Sequence, residues 1–175
     1  TNYILSGSDY VVIEADEFDR SFHWLSPWMS VITSTDPDHL DIYGTKESYL
    51  ESFRHYTSLI QPGGALIIHT GLEMTVDVQP DVRIYTYSRN DGDFHAENVR
   101  IDNGTILFDM ISPLGNVKDV ELGQPVPINI ENGIAAMAMA QLSGCTAEEL
   151  RDGMKTYSGV DRRFDFKVKN DRHVV

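Results

Sequence analysis

Short runs of β-branched residues, interrupted by one amphipathic helical stretch, dominate the first half of the sequence. Residues 10–13 (Tyr-Val-Val-Ile), a run around Val31-Ile32 and residues 65–69 are apolar. Runs of this length are typical of strands buried on both faces of a parallel sheet. Residues 46–60 place apolar side chains on one helical face, and Pro62-Gly63-Gly64 ends that helix. The order strand, strand, helix, strand predicts a three-layer α/β fold with an open sheet of mainly parallel strands.

The hydrophobic period changes to two between residues 82 and 120. Residues 82–87 alternate, and Asn103-Gly104 is a strong signal for a hairpin turn. We therefore expect an added antiparallel portion that includes both segments. Residues 129–143 are apolar nearly all round and predict a buried helix that ends at Gly144. A capping box at residues 146–149 starts another helix. The side chains of that helix expected to face inward are Leu150, Met154 and Tyr157.

The composition is strongly acidic, with 27 Asp and Glu against 14 Lys and Arg and a net charge of −13. Such a surface repels nucleic acid and anionic lipid, so neither is an expected partner. The longest apolar runs fall far short of the roughly 20 residues that span a bilayer. The single cysteine, Cys145, excludes an intramolecular disulfide. These features predict a cytoplasmic protein without a membrane partner.

Two acidic clusters follow predicted strands. Residues 14–19 hold four carboxylates in six positions, and residues 36–41 hold three carboxylates and His39. Ligands of open α/β sheets bind at the carboxyl ends of the strands. If the two strands are neighbours, Glu14 and His39 project from one edge and could hold one or two Mg²⁺ against a polyphosphate. On spacing alone, solvated surface carboxylates and a hydrogen-bonded structural histidine explain the pattern equally well.

Two familiar catalytic motifs are absent from the sequence. No Gly-x-Ser-x-Gly nucleophile elbow occurs, so acyl-enzyme hydrolysis is unsupported. The Gly-rich phosphate loop that ends in Gly-Lys-Ser/Thr is also missing. An anionic substrate would therefore depend on a cation to approach these carboxylates.

Four motifs, in order, resemble the ATP-dependent Mur ligases of peptidoglycan synthesis. They are Glu-Ala-Asp-Glu-Phe-Asp-Arg-Ser-Phe at 14–22, Asp-Pro-Asp-His-Leu-Asp-Ile-Tyr at 36–43, Asn129 with Asn132 before an Ala-rich helix, and Gly-Val-Asp-Arg-Arg-Phe-Asp at 159–165. Each motif alone is a weak match, but the ordered set is specific. The resemblance spans nearly the whole chain and implies the fold of the family's central ATPase domain.

The resemblance also implies that the chain is a piece of a three-domain enzyme. Residues 1–158 correspond to a partial central ATP-binding domain that lacks its first strand and phosphate loop. Residues 159–175 correspond to the start of a truncated C-terminal domain, with a first hairpin expected over residues 164–169 and 172–175. A fragment of this kind is expected to be inactive alone.

The cofactors and substrates implied by the resemblance are specific. The family's reaction uses ATP and Mg²⁺ to phosphorylate a carboxylate, and an amine then displaces phosphate. The member with the most similar motifs joins L-alanine to UDP-N-acetylmuramate, so these are the implied partners of the full-length enzyme. By similarity, Glu14 and His39 are the catalytic, metal-ligating residues. Asn129 and Asn132 match adenine ligands, and Arg163 matches a phosphate ligand.

Other interpretations of the same residues stay open at this point. A recycling ligase that attaches a preformed tripeptide to the same sugar shares most of the motifs. A non-catalytic acidic module that binds Ca²⁺ is a third alternative, because carboxylates at residues 36–41 are oxygen donors. Asn129 and Asn132 are also suited to capping a helix, and Arg162 with Arg163 to an exposed hinge.

Overall fold

The computed structural model describes residues 7–160 of the chain. This part contains a 3-10 helix, four α-helices and two three-stranded sheets. The bounds of the helices are Phe18–Trp24 (3-10), Leu40–Tyr43 (α1), Lys46–Ser58 (α2), Ile128–Leu142 (α3) and Ala147–Thr156 (α4). The bounds of the strands are Met29–Ile32 (β1), Ala65–His69 (β2), Arg83–Tyr87 (β3), His95–Asp102 (β4), Thr105–Ile111 (β5) and Val117–Glu121 (β6).

The first sheet is parallel and has the order β1-β2-β3. Its middle strand is buried on both faces, because Leu66 packs with α2 and Ile67 packs with α3. One helix therefore covers each face of the sheet, which is the three-layer arrangement that the sequence predicts. The α/β class and the mainly parallel first sheet are confirmed.

The predicted strand at residues 10–13 is wrong. The structure gives these residues no strand, and Val12 is 96% exposed. Within the described part of the chain, β1 bonds to β2 alone and no strand pairs with residues 10–13. Apolar, β-branched composition cannot form a strand without a neighbour that accepts its backbone hydrogen bonds. The segment is held instead at Tyr10, whose hydroxyl donates to the Ser143 carbonyl.

The expected antiparallel pairing of residues 82–87 is also wrong. Strand β3 pairs in parallel with β2, with Tyr85 opposite Ile67. It lies at the end of the sheet order and leaves Ile84 46% exposed. The period of two thus reports a half-exposed strand and carries no information about its direction.

The second sheet is antiparallel and has the order β4-β5-β6. The hairpin between β4 and β5 turns at Asn103 and Gly104, whose φ angles of 48° and 77° are those that a type I′ turn requires. This hairpin and the antiparallel portion are confirmed. The inner face of the sheet, centred on Phe108, packs against α3 and α4.

The last two helices follow their sequence signals closely. Helix α3 buries Ile134, Met137 and Ala138, and α4 begins with the predicted capping box at Thr146 and Glu149. Leu150 and Met154 face inward as expected. Tyr157 was expected to do the same and does not: it is 40% exposed, because α4 ends at Thr156 and the chain there is extended.

None of the helices in residues 7–160 combines the length and the apolar character that crossing a lipid bilayer requires. The candidate strands at residues 164–169 and 172–175 lie outside the described residues.

Removal of the Phe108 ring, which lies in the core between the antiparallel sheet and helices α3 and α4, should strongly lower stability. Phe108 has no exposed surface, so we expect Phe108→Ala to lower the free energy of unfolding by about 3–5 kcal/mol. Ile101→Ala on the same sheet is the matched control, because Ile101 is 79% exposed. Urea unfolding followed by circular dichroism would measure both changes, and equal losses in the two variants would contradict this account of the core.

Candidate functional site

The two acidic turns meet at one edge of the parallel sheet. Nε2 of His39 lies 3.9 Å from a carboxylate oxygen of Glu17 and 3.8 Å from one of Asp38. The Phe18 ring meets the His39 ring edge-on at 5.1 Å between centroids. The Tyr43 hydroxyl donates a hydrogen bond to the Glu17 carbonyl. Residues 14–19 and 36–41 therefore converge in space, which was the main spatial expectation from the sequence.

Both turns adopt backbone conformations that are uncommon for residues with side chains. Asp19, Arg20 and His39 have φ angles of 50°, 58° and 52°, in the left-handed region. His39 is the residue just before α1. The Arg20 guanidinium lies 4.7 Å from the centre of the Tyr43 ring, a cation–π contact. Strained residues persist only when surrounding contacts hold them, and they concentrate at functional sites.

The 3-10 helix is fixed against α2 by aromatic packing and one histidine. Phe22 is buried and stacks on Tyr56 at 4.8 Å. Nε2 of His23 lies 3.0 Å from the Ser52 carbonyl, to which it donates, and 2.9 Å from the Ser52 hydroxyl. Burial holds the pKa of His23 below its usual value, although the hydrogen bond to the Ser52 carbonyl acts in the opposite direction, and the neighbouring His55 and Arg20 lower it further. His23 is therefore a neutral anchor for the first acidic turn.

A cavity of about 470 Å³ opens between the 3-10 helix, the carboxyl end of β1 and α2. Both carboxylates and aromatic rings line it. The lining residues that matter here are Glu17, Asp36, Asp38, Phe22, Tyr49 and Tyr56. Burial, together with the negative charge of Glu17, raises the pKa of Tyr49 to about 12. The cavity thus combines carboxylates with aromatic side chains, among them the protonated phenol of Tyr49.

The structure places Glu14 less centrally than the resemblance implies. Its side chain is exposed, and it makes no hydrogen bond or ion pair within residues 7–160. Glu17, three residues later, is the carboxylate that reaches His39. Glu17 belongs to the same acidic cluster as Glu14, so the sequence marks it as a candidate. Spacing alone does not show which of the four carboxylates approaches His39.

The donors at this edge fit a cation shared with a ligand better than a closed metal site. Across the described ranges, no three His, Cys, Asp or Glu side chains are grouped closely enough to hold a metal alone. Mg²⁺ usually keeps several waters and takes one or two carboxylates together with substrate phosphates. Glu17, Asp38 and His39 provide such a partial set. A rigid Ca²⁺ module, by contrast, needs six to eight oxygen ligands from the protein and water.

The two asparagines lie at the start of α3 and line a second cavity. This cleft of about 400 Å³ runs between α3 and α4, with mainly apolar walls that include Met137, Leu150 and Tyr157. The alternative that the asparagines cap the helix is wrong: the residue before α3 is Pro127, which makes no side-chain cap. The Asn129 amide instead donates to the backbone carbonyl and side-chain oxygen of Gln124, both at 3.2 Å.

The motif at residues 159–165 begins close to Gln124, the residue that Asn129 contacts. Gly159 has a φ angle of 89°, and a Cβ there would lie 2.2 Å from the Gln124 side chain. The left-handed φ angle favours glycine here, and both Gly159 and Asn129 lie against Gln124. Arg163, the predicted phosphate ligand, lies outside the described residues.

A contact between a histidine and a carboxylate, which sequence reasoning missed, fixes the start of α3 over the sheet. Nε2 of His69, at the end of β2, lies 3.2 Å from a carboxylate oxygen of Glu131. The same carboxylate oxygen accepts a hydrogen bond from the Arg89 backbone N–H, just after β3. Glu131 thereby ties the helix that carries Asn129 and Asn132 to the carboxyl ends of two strands. Nothing in the sequence pairs these residues, because 62 positions separate His69 from Glu131.

Residues 2–140 match the family model described as the Mur ligase middle domain. The chain belongs to the Mur ligase family. A UDP-N-acetylmuramate–L-alanine ligase of Phocaeicola vulgatus is 69% identical over 175 residues, which is 99% of this chain and 38% of that protein. The enzyme of the same name from Parabacteroides distasonis is 57% identical over 177 residues, again 38% of its length. The chain thus spans about two fifths of the curated relatives that it matches.

Solved Mur ligases share the fold at low sequence identity. UDP-N-acetylmuramate-alanine ligase from Thermotoga maritima superposes with a TM-score of 0.69 at 19% identity, covering 87% of this chain and 34% of that one. MurF from Acinetobacter baumannii gives a TM-score of 0.68 at 20% identity, with 87% and 34% covered. The expected likeness to the Mur ligases is therefore confirmed for the fold and for the family.

The neutral state of His23 predicts a specific loss of stability in acid. Its pKa is lower in the folded chain than the value of about 6.5 expected when unfolded. Below pH 6.5, His23 binds a proton more readily in the unfolded state than in the folded state. The free energy of unfolding that is present above pH 6.5 therefore declines as the pH falls. We expect His23→Gln to lose less stability than the wild type between pH 7.5 and pH 5, measured by urea unfolding. Equal losses in both proteins would contradict this role for His23.

Proposed function

We propose that this chain is most of the ATP-binding domain of a cytoplasmic ligase that joins L-alanine to UDP-N-acetylmuramate in peptidoglycan synthesis. The observation that carries the proposal is 69% identity, across nearly the whole chain, to a protein of that name. The convergence of the acidic turns supports it, because amide-bond formation from a carboxylate and ATP brings several anions together. In this proposal residues 1–158 belong to the central domain and residues 159–175 begin the next one.

The acidic edge of the sheet is proposed to bind a cation that offsets the negative charge of these anions. Glu14 and His39 would be ligands of Mg²⁺, and Glu17 with Asp38 would add further carboxylate oxygens beside His39. Bound Mg²⁺ would neutralise the phosphates of ATP and the carboxylate of the sugar as they approach. A neutral imidazole at position 39 provides a ligand without adding negative charge, which matters in a chain of net charge −13.

The cleft between α3 and α4 supports a role in binding the adenine of ATP. Its apolar walls suit the faces of a flat base, and carboxamides such as those of Asn129 and Asn132 offer both a donor and an acceptor to its edge. Arg163 would contact the phosphates, where a guanidinium can bind in a bidentate manner. The Glu131 contact to His69 supports the proposal, since it fixes the helix that presents these asparagines.

The acceptor amine distinguishes this proposal from its nearest alternative. In the full-length protein we expect release of ADP and phosphate that depends on both UDP-N-acetylmuramate and L-alanine. A coupled assay would compare L-alanine with a preformed tripeptide as the acceptor. Turnover with tripeptide alone would identify a recycling ligase instead, and no turnover with either acceptor would refute the ligase assignment.

Removal of the proposed metal ligands should affect turnover far more than folding. We expect Glu14→Ala and His39→Ala in the full-length enzyme to lower kcat by roughly 100-fold or more, as losses of groups that stabilise transition-state charge do. Asp41→Ala is the matched control, because Asp41 is exposed in the same turn and makes no ion pair within residues 7–160. Unfolding midpoints of all three variants should stay near the wild-type value. Normal turnover in a folded Glu14 or His39 variant would remove that residue from the site.

A further inference from the structure

Tyr49 is a largely buried residue whose hydroxyl group has no protein partner in the described part of the chain. Its side chain is 3% exposed and packs edge-on against Tyr43 and at an angle against Phe53. Two neighbouring phenols are satisfied, since the Tyr43 hydroxyl donates to the Glu17 carbonyl and the Tyr56 hydroxyl bonds to the Ser30 hydroxyl at 2.8 Å. No fully enclosed side-chain oxygen or nitrogen lacks a partner in residues 7–160, so the Tyr49 oxygen keeps some accessible surface, and Tyr49 lines the cavity described above.

The surroundings of this phenol define its hydrogen-bonding role. Glu17, Asp38 and Asp36 act on it electrostatically, and their negative charges help to keep it protonated. None of these carboxylates lies within hydrogen-bond distance of the Tyr49 oxygen. The hydroxyl group of this largely buried residue is therefore left as a donor without a protein acceptor beside the cavity, and polar groups in such surroundings are normally paired.

The missing partner is best described as an oxyanion that a cation accompanies. A phenolic hydrogen needs an acceptor, and phosphate or carboxylate oxygens are the strongest acceptors among ligands. The three carboxylates on the cavity wall would repel such an anion unless a divalent cation lies between them. An ammonium group would pair with the carboxylates directly and leave the phenolic hydrogen without an acceptor.

We propose that Tyr49 is a substrate-binding residue whose hydroxyl donates a hydrogen bond to a phosphate or carboxylate oxygen held in this cavity by a divalent cation. This inference rests on the proposed function, which provides both kinds of oxyanion: the terminal phosphate of ATP and the carboxylate of UDP-N-acetylmuramate. Tyr49 would orient that group beside Glu17 and His39. The sequence points only to a core position on α2 and not to this role.

Equilibrium binding to the full-length enzyme tests the inference without requiring turnover. Calorimetric titrations would use two probes separately, adenylyl imidodiphosphate and UDP-N-acetylmuramate, each with and without Mg²⁺. The test variant is Tyr49→Phe, which removes the hydroxyl and keeps the ring. The matched control is Tyr85→Phe, because the Tyr85 ring packs on Phe94 at 5.5 Å and does not line this cavity.

We expect Tyr49→Phe to weaken the Mg²⁺-dependent binding of one probe by roughly 10- to 100-fold, the usual loss for a hydrogen bond to a charged group. Weaker binding of the nucleotide analogue would assign the oxyanion to phosphate, and weaker binding of the sugar nucleotide would assign it to carboxylate. The unfolding midpoint should not fall, because the hydroxyl has no partner to lose. Tyr85→Phe should bind both probes as the wild type does.

Four outcomes would overturn the inference. Unchanged binding of both probes by Tyr49→Phe, in an enzyme whose wild type turns over with L-alanine, would refute the role of Tyr49 alone. An equal loss of affinity in Tyr85→Phe, or a loss that does not depend on Mg²⁺, would show that the effect is not a hydrogen bond to a cation-bound group. A wild-type enzyme that neither binds the probes nor turns over would refute the proposed function together with the inference.

Discussion

The hydrogen bond from the Tyr43 hydroxyl to the Glu17 carbonyl joins the two acidic turns, and the candidate site depends on that junction. Each turn contributes negative charge, so the turns repel each other unless neutral contacts hold them together. The buried Tyr43 side chain and the edge-on contact of Phe18 with His39 provide such contacts. They accompany an arrangement in which carboxylate oxygens of Glu17 and Asp38 each lie within 4 Å of the His39 imidazole at the edge of a parallel sheet.

The second region of interest is built around α3 in a similar way. The Glu131 carboxylate attaches the helix to the ends of β2 and β3, while Gln124 links Asn129 to the approach of Gly159. Polar contacts therefore fix both candidate regions on rigid elements, and apolar cores on either side of the sheet hold those elements in place. This organisation suits a reaction in which a nucleotide and a second anion must be held in fixed positions.

Much of the fold followed from local signals, and the two wrong strand predictions share one cause. The capping box at Thr146, the Asn103-Gly104 hairpin and the apolar face of α2 are properties of neighbouring residues, so a sequence reveals them. Residues 10–13 and the direction of β3 depend on which strand lies alongside, and periodicity contains no such information. Of the site, the resemblance named Glu14, His39, Asn129, Asn132 and Arg163, and their roles stay predictions.

The sequence by itself determined the family, the α/β class and the two acidic segments, because four ordered motifs and strong local patterns are readable without coordinates. Tertiary structure decided which groups meet. It brought Glu17 to His39, paired His69 with Glu131, and placed Tyr49 on the wall of a cavity. The physical reason is that hydrogen bonds and charge contacts act over a few ångströms in space, whereas the residues that make them are separated by tens of positions along the chain.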